Sequence, residues 1–195
     1  MKTILMLALL SVISITACTS NNTPKTQYYL LNSPTLALNA TTNEQPPAIS
    51  VTLLELPEYL AQPSLVLQLS DHQLHYSHFH MWAEPLNLGL AQALNHDLNN
   101  NKNGLSFIVS TDINANKNAD IIIKISAFQA THQSQVLLTG SYTINNKLMS
   151  QQMNKTNNFS LFVDLDDNGY PHAVEKMRQA TSLLAQEISA NITKH

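Results

Sequence analysis

The chain has 195 residues, 44% of them hydrophobic, which fits one packed domain with short extensions and excludes a disordered chain. Only 12% are charged, the formal net charge is −3, and Arg178 is the sole arginine. That balance speaks against a nucleic-acid partner, which needs a basic face and guanidinium forks for phosphate.

The chain begins with an address. Lys2 precedes an apolar run over residues 4–15, too short to span a bilayer comfortably, and small residues lead into Cys18, the only cysteine. This is the anatomy of a secretory signal peptide, and Ile15-Thr16-Ala17-Cys18 matches a bacterial lipobox. One cysteine closes no internal disulfide. Its thiol can instead carry a thioether-linked diacylglyceryl group, and its freed α-amine a further acyl chain. Two or three chains hold a protein on a bilayer durably where one does not. The expected organisation is a removed signal peptide over residues 1–17, a lipidated Cys18 with a polar tether over 18–26, and a single domain over 27–195. No cofactor beyond these acyl chains is expected. Thr19 stands where an aspartate would retain an enteric-type lipoprotein at the inner membrane, so the outer membrane is the expected destination.

Within the domain, residues 27–31 (QYYLL) predict a first strand, followed by an Asn-, Thr- and Pro-rich loop. Residues 49–54 (ISVTLL) are apolar and β-branched and predict a buried strand. Pro57 and Pro63 close a turn region. SLVLQLS and QLHYSHFH then predict a hairpin turning at Asp71-His72. The period changes next: Leu86, Leu90, Ala93, Leu94 and Leu98 recur at helical spacing, with Pro85 in the first turn and an Asn-rich stop at 99–104. Strands follow at 105–110, 120–127 and 135–144, then a turn at Asn145-Asn146 and strands at 147–156 and 158–164. A helix over 171–192 carries the stripe Ala173, Met177, Ala180, Leu184, Ile188 and Ile192. The fold class is α+β: one mixed, mostly antiparallel sheet with two helices packed on one face.

Three sets of residues invite a functional reading. Tyr59, Leu60 and Trp82, in LPEYL and WAEPL, supply aromatic and apolar groups of the kind that anchor partner interfaces. They also suit packing, with Trp82 plugging the gap between helix start and sheet and Glu84 favouring the helix dipole. His72, His75, His78 and His80 crowd one hairpin, with His96 further on. On a strand, His78 and His80 point one way and His75 the other, short of the convergent ligands zinc wants, though such histidines titrate near neutrality. Residues 164–175 (DLDDNGYPHAVE) match a calcium-loop pattern: Asp164, Asp166 and Asn168 as oxygen ligands, Gly169 at the turn, Tyr170 through its carbonyl, and Glu175 as a bidentate carboxylate. The same residues read as turn chemistry, with Pro171 at a helix start and Glu175 near its N-terminus. No nucleophile elbow, P-loop or zincin motif is present, and no enzymatic activity is expected.

Tyr28-Tyr29-Leu30-Leu31, residues 56–60 (LPEYL) and 82–86 (WAEPL), Gly140 with Tyr142, and the closing Leu184-Ala185-Gln186-Glu187-Ile188, behind a lipobox and in this order, resemble the PqiC family of ABC-type transport auxiliary lipoproteins. The resemblance runs from Cys18 to the closing helix. It implies a mixed α/β domain on the periplasmic face of the outer membrane, working with MCE-domain proteins that bridge the envelope and move lipid between membranes, with self-association as a further expectation. Members also tend to have an Asp/Gly/Tyr turn before the last helix, which favours the turn reading of residues 164–175. The histidine-rich stretch and the low surface charge depart from what the family explains. The contrasting expectation is a calcium- or metal-responsive periplasmic binding lipoprotein.

Overall fold

The structure, a computed structural model, describes residues 24–32, 48–101, 105–111, 120–145 and 155–193. In chain order its elements are β1 (Gln27–Tyr29), β2 (Ile49–Glu55), a 3-10 turn (Glu58–Leu60), β3 (Ser64–Ser70), β4 (Gln73–Trp82), α1 (Leu86–Asn100), β5 (Phe107–Ser110), β6 (Ile121–Thr131), β7 (Gln135–Ile144), β8 (Lys155–Asp164) and α2 (Tyr170–Thr193). The eight strands form one open mixed sheet. The signal sequence, Cys18 and most of the tether lie outside the described residues, as do Asn146 and residues 147–154 of an expected strand.

β6 is the spine. One side carries β7 along its whole length, antiparallel from Ile121↔Ile144 to Thr131↔Gln135, with β8 antiparallel beyond. The other side carries two strands laid end to end, both parallel to β6: β2 beside its start (Val51↔Ile121) and β3 beside its end (Leu67↔Ala130). The 3-10 turn sits in the break between them. From that break the sheet forks: β5 extends β2, while β4 and then β1 extend β3. The long ladders are antiparallel, as expected, and the parallel pairings are short.

Period-two alternation decides which face is core. Val136, Leu138, Tyr142 and Ile144 of β7 are buried, as are Phe159 and Val163 of β8. On β6 the buried set is Ile121, Ile123 and Ile125, then Phe128 and Ala130. A bulge between Ile125 and Ala127 causes that change of phase, because one extra residue swaps the faces. Gly140 lies opposite the bulge. A Cβ there would fall 2.1 Å from the Lys124 carbonyl oxygen and 2.8 Å from the Phe159 ring, so only glycine lets β7 approach so closely.

Both helices cover this face. α2 packs on β6, β7 and β8 through Ala173, Met177, Ala180, Leu184 and Ile188; α1 packs on β5 and α2 through Leu90, Ala93, Leu94 and Leu98. Each such leucine or isoleucine contributes roughly 1.5–3 kcal/mol of burial. Pro85 stands at the cap of α1, not inside its first turn; its carbonyl accepts from the N–H of Leu88 (2.9 Å) and Gly89 (3.2 Å). Two asparagines of α1 close the edge of β5. The Asn99 amide donates to the carbonyl of Phe107 and accepts from its N–H, both at 2.9 Å, and Asn95 accepts from the N–H of Val109. They stand where a ninth strand would pair.

Candidate functional site

The start of α2 gathers residues that are far apart in sequence. Tyr170, its first residue, stacks on His80 of β4 with ring centroids 3.8 Å apart. The Tyr29 hydroxyl of β1 lies 2.8 Å from His80 Nδ1 and 2.7 Å from Gln27 Oε1. Burial, with the neighbouring Tyr170 adding, pushes the Tyr29 hydroxyl above its ordinary pKa. One histidine of the hairpin cluster thus ties the first strand to the last helix. The others disperse: His75 and His78 meet edge-on at 6.5 Å, and His96 lies 3.1 Å from Asp97. Beside Tyr170 opens a groove of about 460 Å³. Its walls are apolar at Leu67, Leu69, Ala130 and Leu165 and its rim is polar at Thr131 and His132, a lining that suits an apolar group with a polar end.

Two of the residues expected as calcium ligands, Asp164 and Asp166, are engaged elsewhere. Gln135 Nε2 donates to the Asp164 carboxylate at 2.9 Å. Asp166 lies 2.9 Å from Lys176 Nζ and 2.7 Å from His172 Nε2. The Lys176 hydrogen bond, with Asp166's own backbone and His172 adding, holds the Asp166 carboxyl below its usual range. Gly169 takes φ 102°, Asn168 donates its N–H to Asp167, and Glu175 is mostly exposed, 3.7 Å from His172. Tyr170, expected to contribute its carbonyl, is the first residue of α2. A cation in this loop would have to displace Lys176 from Asp166 and Gln135 from Asp164. Among the described residues, no group of three or more His, Cys, Asp or Glu is arranged to hold a metal ion.

The LPEYL and WAEPL residues are placed by the fork. Leu60 and Trp82 are 3% and 7% exposed, members of the core at the break between β2 and β3. A contact residue must reach solvent, so these two shape a partner surface only from beneath. Tyr59 differs: its ring turns to the helix-free face, and its hydroxyl donates to Gln129 Oε1 at 3.0 Å. Gln129 also reaches Gln68, which links β6 to β3 across that face. Burial is the first cause of the raised Tyr59 pKa, and the Gln129 bond opposes it.

Sequence reasoning missed one junction. Arg178 of α2 forks onto Asp97 of α1, Nη1 to Oδ2 at 2.5 Å and Nη2 to Oδ1 at 2.6 Å. A lone arginine in a chain so poor in charge was the available signal; its partner is 81 residues away.

These features define an open α+β sheet covered on one face and forked at β6. The same architecture occurs in a crystal structure of an uncharacterized protein, with a TM-score of 0.63 at 21% identity over 86% of this chain and 99% of that one. It occurs again in a Xanthomonas campestris protein assigned to the family of unknown function DUF330, with a TM-score of 0.54 at 11% identity over 86% of this chain and 85% of that one. No curated protein matches the chain. The model of the ABC-type transport auxiliary lipoprotein component family matches residues 29–189. The chain belongs to that family. It is thereby a lipoprotein-family subunit associated with a transport system, and among its described residues no helix is long and apolar enough to cross a membrane.

Proposed function

We propose that the chain is a non-catalytic, lipid-anchored subunit of an MCE-type intermembrane lipid transport system. In this reading Cys18 carries the acyl chains, the domain sits on the periplasmic face of the outer membrane, and it docks the periplasm-spanning component there and supports membrane integrity. The observation that carries the reading is the family match, which begins at residue 29, eleven residues after a lipobox cysteine. The mechanism is tethering. Confinement to a plane raises the effective concentration of the domain for a partner that reaches the same plane. Copies of the chain associate around that partner. Of the three residues expected to touch it, Tyr59 keeps part of its ring at the surface, while Leu60 and Trp82 hold the fork in shape.

Crosslinking in cells, followed by identification of the captured protein, tests this. Capture of an MCE-domain protein, weakened by Tyr59→Ala in a chain that still folds, is the expected result. Repeated capture that never includes such a protein would sink the proposal.

A further inference from the structure

The helix-free face does not expose its apolar groups evenly. Tyr28 is 67% exposed and Phe79 42%. Register places them together. Tyr28 pairs with Met81, and Met81 with Ser64 on the far side, so Tyr28 and Met81 share a face; Phe79 is two residues back along β4. His80 and Trp82, one step out of phase, turn to the covered face, where His80 meets Tyr170 and Trp82 enters the core. Among the described residues, three of the four exposed aromatics, Tyr28, Tyr76 and Phe79, therefore lie on β1 or β4, the fourth being Phe162 on β8, and Lys25, also exposed, stands two residues before β1.

This is the edge at which the chain enters from its anchor. Cys18 is nine residues before Gln27. Nine residues reach at most about 32 Å when fully extended. The opposite edge, β8, lies five strand steps from β1 by way of β4, β3, β6 and β7. At about 4.8 Å per step that is roughly 24 Å further across the sheet. To bring Phe162 of β8 to the bilayer, the tether would spend most of its length running back over the domain. To bring Tyr28 there it needs almost none.

We infer that the β1/β4 edge, through Tyr28 and Phe79, is a membrane-contacting patch that seats on the lipid headgroup layer. The inference rests on the reading of Cys18 as lipidated. Tyrosine and phenylalanine suit this layer, since an aromatic ring is apolar in body and tyrosine is polar at its tip. A lysine beside them favours the anionic lipids of a bacterial membrane. The anchor fixes distance and the patch fixes orientation. The domain then stands with the β8 edge turned towards the periplasm.

The test uses the full lipidated chain, purified from membranes and reconstituted into phosphatidylethanolamine/phosphatidylglycerol vesicles. Part of the lipid carries a spin label near the headgroup end of an acyl chain. Tyr28→Trp, Phe79→Trp and Phe162→Trp are compared, with the buried Trp82 as a constant background subtracted from the parent. Flotation first reports anchoring. The expected result is co-flotation of all three, with quenching at positions 28 and 79 at least twofold greater than at 162. Co-flotation with equal quenching, or with stronger quenching at 162, overturns this inference and leaves the anchor reading intact. A chain that does not co-float overturns both.

Discussion

The two faces of the sheet are made by the same strands, one residue out of step. On β7, Val136, Leu138, Tyr142 and Ile144 are buried beneath α2, while Leu137, Thr139, Ser141 and Thr143 are only partly covered. On β8, Phe159 and Val163 face the core while Ser160 and Phe162 face out. The covered face is tight enough that a single Cβ at Gly140 does not fit. The open face holds its aromatic residues lightly, as at Tyr59, whose hydroxyl reaches Gln129 and the Ser126 carbonyl, or not at all by the core, as at Tyr28. Stability resides on one face, and in the proposed reading the other is left for contact with membrane and partner.

Substitutions should therefore divide by face. Gly140→Ala drives a methyl into the Lys124 carbonyl and the Phe159 ring and should cost about 3 kcal/mol, seen as a lower denaturation midpoint with an unchanged slope. Tyr142 is next. Its hydroxyl donates to Glu187 at 3.2 Å and accepts from Asn191 at 2.5 Å. Burial first, and the Glu187 carboxylate after it, push the Tyr142 pKa from 10.0 up to about 12, although the Asn191 bond works the other way. The folded value lies above the unfolded one, so this stabilisation is complete below the unfolded pKa and is lost as pH rises through the window to the folded pKa. Denaturation measured across that window should show a loss on the order of 2 kcal/mol, and Tyr142→Phe should remove that slope.

On the open face the effects shrink. Tyr59→Phe removes the hydroxyl from Gln129 and should cost about 1 kcal/mol. Phe162→Ser should leave the denaturation midpoint within about 0.5 kcal/mol of the parent, because nothing in the core leans on it. If Phe162→Ser instead destabilised as much as Gly140→Ala, the division between faces would fail.

Most strand and helix spans were legible because local periodicity writes them, although β6 runs on to Thr131 past its expected end at Ala127 and β8 crosses the break expected at residue 157. Leu86, Leu90, Ala93, Leu94 and Leu98 declare α1, and all five are buried. Partner choice was not legible. Nothing local in the run IIIKISAFQAT says that β6 takes two neighbours on one side, or that a bulge before Ala127 reverses which residues face the helices. The site suffered from the same limit. Trp82 and Leu60 have the chemistry of anchors, but side-chain chemistry does not distinguish a residue that touches a partner from one that holds the touching residue in place. Tyr29, His80 and Tyr170 each drew notice separately. Their convergence is a property of the register between β1 and β4 and of where α2 begins, which no window along the chain contains.

The end-to-end placement of β2 and β3 along β6 also bears on how the chain reaches this state. Ser50 seals the start of the β2/β6 ladder by donating its N–H and hydroxyl to Asp120, 70 residues away. Closing a loop of that length costs about 4 kcal/mol of chain entropy before any pairing rewards it. The hairpins β3/β4, β6/β7 and β7/β8 close locally and can form early, but both arms of the fork wait for β6. Folding is accordingly a late, long-range event, in the slow range typical of non-local β topologies. Until it completes, the chain has its apolar strands unpaired, and this is the stage at which it depends most on being kept from its neighbours.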